Sequence, residues 1–151
     1  MIEARACLPH PPQRVFEFLA DLRNHWRLED AFVEVGGLEG DAGHGPTGGR
    51  VRIKGPLGLS REARTQVLEA SAPSGSAPGR LAGRADVGRT VGHVGWAIEP
   101  AAYDASDVRL WAEVERATPL DRALLALGGR RLLAGIFERS LANLARVLDD
   151  A

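Results

Sequence analysis

From Val51 to Val114 the apolar residues fall on alternate positions in five successive segments, the period of a strand with one buried and one wetted face. Val51 and Ile53 oppose Arg50, Arg52 and Lys54, and Leu59, Ala63, Thr65 and Val67 oppose Ser60, Glu62, Arg64 and Gln66. The alternation recurs with Leu81, Gly83, Ala85 and Val87, with Val94, Trp96 and Ile98, and with Val108, Leu110, Ala112 and Val114. Turn-forming stretches separate them, Gly55-Pro56-Leu57-Gly58 and the Ser-, Pro- and Gly-rich residues 71 to 79. Such a pattern predicts an antiparallel meander packed on one side and wet on the other.

The flanks supply what covers the apolar side. Ile2, Ala4, Ala6 and Leu8 alternate as a first strand, and Pro11-Pro12 then open a short helix carrying Val15, Phe16, Phe18, Leu19 and Leu22. A second helical stretch is expected over Asn24 to Asp30. Residues 36 to 49 hold seven glycines and are expected to be a loop or hairpin connection rather than the interior of an element. At the far end Leu120, Leu124, Leu127, Leu133, Phe137, Leu141, Leu144 and Leu148 follow three-or-four spacing, interrupted at Gly128-Gly129. This predicts a long terminal helix, broken or kinked at the glycines, whose leucine stripe is buried on the sheet. The whole, residues 1–151, reads as a single α+β domain without internal repeats.

Composition narrows the function classes. The net charge is −1, and only one of the 19 basic residues is a lysine, Lys54. The arginine excess is therefore a compositional bias, and there is no global basic field for nucleic acid. Arg50, Arg52 and Lys54 share their face with Glu62, Glu113 and Glu115, a mixed-sign surface, so no nucleic-acid partner is expected. No apolar run approaches a membrane span, and no integral membrane association is expected. The N-terminal Met1-Ile2-Glu3-Ala4-Arg5 lacks the basic and then apolar pattern of a secretory signal, so the expected location is cytoplasmic. Metal sites find no support, since no two of the four histidines lie within five residues of each other and Cys7 has no second cysteine. The run Gly40-x-x-Gly43-x-Gly45 does not match a phosphate loop, and no cofactor is expected.

The opening strand, the segment Pro12-x-x-Val15-Phe16-x-Phe18-Leu19-Ala20-Asp21, Trp26 soon after it, Gly48-Gly49-Arg50-Val51 and the terminal Leu141-x-x-Leu144 together resemble the SRPBCC (START and Bet v 1-like) superfamily. Its bacterial polyketide cyclase/dehydrase and lipid-transport branch is the most similar. The resemblance implies a helix-grip fold, a curved antiparallel sheet wrapped around a long C-terminal helix with two short helices after the first strand. It also implies an internal cavity that holds a hydrophobic small molecule, lipid-like, polyketide or aromatic. It does not imply a common chemistry, because one fold hosts carriers, sensors and enzymes.

If the helix covers the apolar face, the cavity is expected to take Ile53, Thr65, Val67, Ala85, Trp96, Ile98, Leu110 and Ala112 from the sheet and Leu133, Ile136 and Phe137 from the helix. Trp26 and His25 are placed at its entrance. The small residues Gly83, Ala85, Gly95 and Ala112 leave room that larger ones would fill. Asp21 and His25, four apart, would make a local hydrogen-bonded pair if the first helix continued that far, the minimum unit for acid/base work by a histidine. His25 is thus the one catalytic candidate. His10 and His44 lie in loops without evident partners, His93 falls on the wet face, and Asp149-Asp150 are expected to fray. Arg61 and Glu69 are the charged groups expected at the inward ends of a strand. The leading expectation is a ligand carrier or sequestering module; the alternative is a cyclase or dehydratase, a lyase or isomerase in type, using the same cavity. A monomer and a homodimer are both compatible with the sequence.

Overall fold

The computed structural model describes residues 1–28, 33–41, 46–54 and 60–150. Seven strands form one antiparallel sheet: β1 (Ile2–Leu8), β2 (Val33–Asp41), β3 (Pro46–Lys54), β4 (Ser60–Ser71), β5 (Gly79–Val87), β6 (Thr90–Ala101) and β7 (Ala105–Arg116). Their order is β1-β7-β6-β5-β4-β3-β2. The meander from β2 to β7 is thus closed at one edge by the chain's first strand. The sheet curls into a half-barrel around a long C-terminal helix, the helix-grip α+β fold. Among the described residues no helix is long and apolar enough to cross a membrane.

The alternation read from the sequence becomes cross-strand layers. Ala4 faces Leu110, Leu110 faces Trp96, and Trp96 faces Leu81; a second layer runs from Ala6 through Val108 to Ile98, with Leu8 opposite Ser106 beyond it. These residues join α1 (Pro12–Ala20) and α3 (Arg130–Asp149) in one core. Pro12 begins α1, where its missing N–H costs nothing, and Val15, Phe16, Phe18 and Leu19 are its buried residues. A 3₁₀ helix, Leu22–Leu28, follows. It starts two residues earlier than the expected helix, and Asp30 lies outside the described residues.

Three expectations need correction. Gly36, Gly37 and Gly40 lie within β2, and Gly48 and Gly49 within β3, so much of the glycine-rich stretch is strand interior flanking a hairpin. Close packing explains one of these, since a Cβ at Gly48 would run into the Thr65 carbonyl of β4. Second, the register of β4 on β5 shifts between Val67 and Glu69. This bulge restarts the alternation, so Ala70 lies opposite Leu81 while Glu69 lies opposite Ala82 and reaches Arg80 at 3.9 Å. Glu69 is consequently an exposed outer-face residue and not an inward one.

The third concerns how much of the terminal leucine stripe is buried, the expected break at the glycines being present. α2 (Pro119–Leu124) is followed by a π-helical turn, Leu125–Gly129, with Gly128 at φ 125, and then by α3. Only the α3 part of the leucine stripe is buried: Leu141, Leu144 and Leu148 are enclosed, each contributing about 1.5–3 kcal/mol. Leu120, Leu124 and Leu127 are exposed, Leu127 at 84%. The inward residue of α2 is instead Asp121. Its carboxylate accepts from Arg61 at 2.6 and 3.2 Å and from the Thr90 hydroxyl, while its N–H donates to the capping Thr118 at 3.2 Å.

The other end of α3 is moored as well. His10, buried, lies 2.7 Å from Asp149 through its Nε2, Arg14 donates to the Leu148 carbonyl at 2.9 Å, and the Ser106 hydroxyl donates to the His10 carbonyl at 2.6 Å. His10 therefore has a partner, and Asp149 is held by it. His44 lies outside the described residues. His93 is half-buried on the outer face, 3.8 Å from Glu115.

Candidate ligand cavity

Between these two moorings the sheet and the helices leave a cavity of about 230 Å³. On the helical side it is bounded by Leu22, His25 and Leu28 of the 3₁₀ helix and by Ser140 of α3; on the sheet side Val51, Thr65, Val67, Leu81, Gly83, Val94, Trp96 and Leu110 contribute. Arg50, Gln66 and Arg84 also border it, but they alternate with the apolar positions, and Arg50 and Arg84 reach toward Glu62 (3.9 Å) and Asp86 (3.0 Å). The volume is small beside the roughly 300–1,000 Å³ typical of small-molecule sites, so the space suits a compact ligand.

Its floor is backbone. A Cβ at Gly83 would collide with the Gln66 carbonyl, as one at Gly48 would with that of Thr65; glycine on both neighbours of β4 lets the three strands close up there. On the outer face, Trp111 lies against Gly95, where a Cβ would come within 2.6 Å of the indole and 3.0 Å of the Leu81 carbonyl. Nothing in the alternating pattern singles out Trp111, because a buried aromatic on the wet face becomes legible only when its glycine partner is known.

The expected lining divides along the sheet. His25, Thr65, Val67, Trp96 and Leu110 border the cavity. Ile98 does not, being fully buried in the layer with Val108 beneath the helices. Ile53, Ala85 and Ala112 are half-buried on the same face but lie toward the end where Arg61, opposite Ile53, meets Asp121. From α3 the cavity takes Ser140 rather than Leu133, Ile136 or Phe137. Ile136 is buried and Phe137 packs against the core. The reason is that α3 packs chiefly on β1 and the 3₁₀ helix, so the void opens beside its middle. Ser140 is one turn beyond Phe137 on the same stripe, and its small polar side chain had no apolar signal to mark it. The Trp26 side chain lies outside the described residues.

Among the described residues, His25 is the one titratable side chain the 3₁₀ helix places at the cavity. Its Nε2 donates to the Leu19 carbonyl at 2.8 Å, and its ring meets Trp96 edge to face, 6.3 Å between centroids at 86°. Burial pushes its pKa below the ordinary 6.5, against smaller upward pulls from the Leu19 carbonyl and the Asp21 charge. The expected Asp21–His25 hydrogen bond is replaced by this backbone contact, because α1 ends at Ala20 and Asp21 is extended. The other hydroxyl on the floor, Thr65, donates to Gly49 at 3.2 Å. An arrangement of this kind offers apolar contact, one neutral imidazole and two hydroxyl groups.

Comparison with known proteins agrees with this architecture. Residues 2–149 match the family described as polyketide cyclase/dehydrase and lipid transport. The structure of TTHA0849 from Thermus thermophilus is similar at 21% identity and TM-score 0.65, covering 99% of this chain and 98% of that one. A START superfamily protein from Mycobacterium smegmatis is similar at 13% identity and TM-score 0.63, covering 99% and 97%. DynU16, a protein of the dynemicin biosynthetic locus, is similar at 18% identity and TM-score 0.56, covering 98% of this chain and 46% of its own. A search of curated proteins gives no match. With a family match running from the first strand to the end of α3 on a helix-grip sheet, the chain belongs to the polyketide cyclase/dehydrase and lipid transport family.

Proposed function

We propose that this chain binds a compact hydrophobic small molecule in the cavity between the sheet and the helices. The observation that carries this is the wall itself: Leu22, Leu28, Val67, Trp96 and Leu110 converge on a void in which few side chains are polar, the usual composition of a small-molecule site. The family supports a lipid-like or polyketide-type ligand, and the relationship to a protein from a biosynthetic locus favours a metabolic intermediate or product. Native mass spectrometry of freshly purified protein, joined to displacement of 1-anilinonaphthalene-8-sulfonate, tests it. A co-purifying mass or saturable, displaceable dye binding is expected; no displaceable binding would sink the idea.

A second reading has one observation in its favour. His25 is a neutral imidazole at the edge of an apolar space, which suits a general base in a cyclase or dehydratase. Turnover of a linear polyketide-type substrate with a pH–rate profile that collapses in His25→Ala would support it. Binding without turnover leaves the carrier reading in place.

A further inference from the structure

The hydrogen bonding of His25 has a consequence for what the cavity accepts. A carbonyl oxygen only accepts, so the 2.8 Å contact with Leu19 puts the imidazole proton on Nε2. Nδ1 is then a bare lone pair. Among the described residues it has no hydrogen-bond partner. The ring borders the cavity and lies perpendicular to Trp96, and turning it over to move the lone pair would break the Leu19 bond. The remaining polar groups discriminate less. Thr65 has already committed its proton to Gly49, and the Ser140 hydroxyl both donates and accepts. Thr65 can turn its hydroxyl to donate if it gives up that bond, and Gln66 carries N–H donors beside its amide oxygen, so among these side chains His25, fixed by Leu19, is the one whose free ring nitrogen accepts and cannot donate.

We infer that the cavity selects a ring-bearing ligand that carries a hydroxyl donor, a phenol, naphthol or enol, and that this hydroxyl is received by Nδ1 of His25 while the ring packs against Trp96. A ligand with the same ring and an ether oxygen in place of the hydroxyl leaves Nδ1 desolvated and unpaired, which is the asymmetry that makes polar groups in apolar sites selective. The inference rests on the ligand-cavity function proposed above.

The test compares 2-naphthol with 2-methoxynaphthalene by isothermal titration on the intact chain, beside the dye-displacement assay. Wild type is expected to bind 2-naphthol at least about tenfold more tightly. The His25→Leu variant is expected to bind the two equally, and His25→Gln, whose amide oxygen restores an acceptor, to recover part of the preference. Equal binding by wild type, or tighter binding of the ether, overturns the inference and leaves the ligand cavity standing. A preference that persists in His25→Leu overturns it too, since another group then reads the hydroxyl. If neither naphthalene binds while the dye does, the inference fails alone; if the dye also fails, the cavity function falls with it. The wild-type comparison decides the matter even if His25→Leu does not fold.

Discussion

Arg61 on β4 and Asp121 on α2, sixty residues apart, make a two-pronged contact, Nη1 to Oδ1 at 2.6 Å and Nη2 to Oδ2 at 3.2 Å. Together with the Thr90 hydroxyl, the Arg61 contact holds the Asp121 carboxyl at a pKa of about 2, below its ordinary 3.8. The folded state therefore binds this proton less readily than the unfolded chain does. Its contribution to stability is complete above about pH 4 and is lost as pH falls toward 2. Arg61 is half-exposed, so water screens part of the attraction, and the contribution is about 1–2 kcal/mol. Urea unfolding between pH 2 and 7 is expected to show this loss in wild type, and Asp121→Asn is expected to be less stable at pH 7 with a flatter acid limb. An unchanged acid limb in Asp121→Asn would count against the contact.

Two glycines are expected to rank by what their missing Cβ would meet. In Gly83→Ala the methyl group meets main-chain carbonyl that cannot move without parting β4 from β5. In Gly95→Ala it meets a side chain, the Trp111 ring, at 2.6 Å, and main chain only at 3.0 Å, the Leu81 carbonyl. Overpacking of this kind typically costs about 1–3 kcal/mol. Gly95→Ala is expected within that range and Gly83→Ala above it, as read from thermal melting. Equal losses would mean that the sheet yields as easily as the indole.

His25 is expected to titrate below 6.5, because burial outweighs the Leu19 and Asp21 contributions. Since its proton affinity is lower in the folded state, its share of stability is complete above about pH 6.5 and declines as pH falls below that value. Two-dimensional NMR of the imidazole resonances from pH 4 to 8 measures both features. The nitrogen shifts at pH 7.5 are expected to report the Nε2–H form. A His25 curve centred above 6.5, or the opposite tautomer, would contradict the geometry.

The left-handed positions are expected to respond with opposite signs. Gly128, at φ 125, joins α2 to α3, and Gly128→Ala forces a side chain into a conformation that costs about 1–2 kcal/mol. Tyr103, at φ 59 in the β6–β7 turn, already bears such a strain and is fully exposed. Replacing it by glycine removes the strain without losing contacts, though glycine's looser unfolded chain takes back some of the gain. Melting temperatures should fall for Gly128→Ala and hold or rise for Tyr103→Gly.

The strand alternation, the first strand over residues 2–8 and the leucines of α3 could be read from sequence because each reflects a local periodicity meeting one large apolar surface. What escaped depended on partners remote in the chain. Glu69 changes face because a bulge at Leu68 adds one residue to β4. Asp121 points inward past Leu120 because Arg61 and Thr90 await it. Strand β2 is hidden by glycines whose lack of side chains mimics a loop. For the cavity, His25, Thr65, Val67, Trp96 and Leu110 followed from parity or position, whereas Ser140 and the Leu22–Leu28 wall depended on where α3 settles over β1.

The glycine floor divides the cavity into a part that can diversify and a part that cannot. Gly48 and Gly83 press against main-chain carbonyls, so any side chain there disrupts the sheet before it reshapes the space. The helical boundary of Leu22, Leu28 and Ser140 carries ordinary side chains, with no such main-chain obstruction. Relatives that share these glycines cannot reshape the space from those two positions, and changes of specificity among them should be sought in the side chains of the 3₁₀ helix, of one turn of α3 and of the strands beside the glycines.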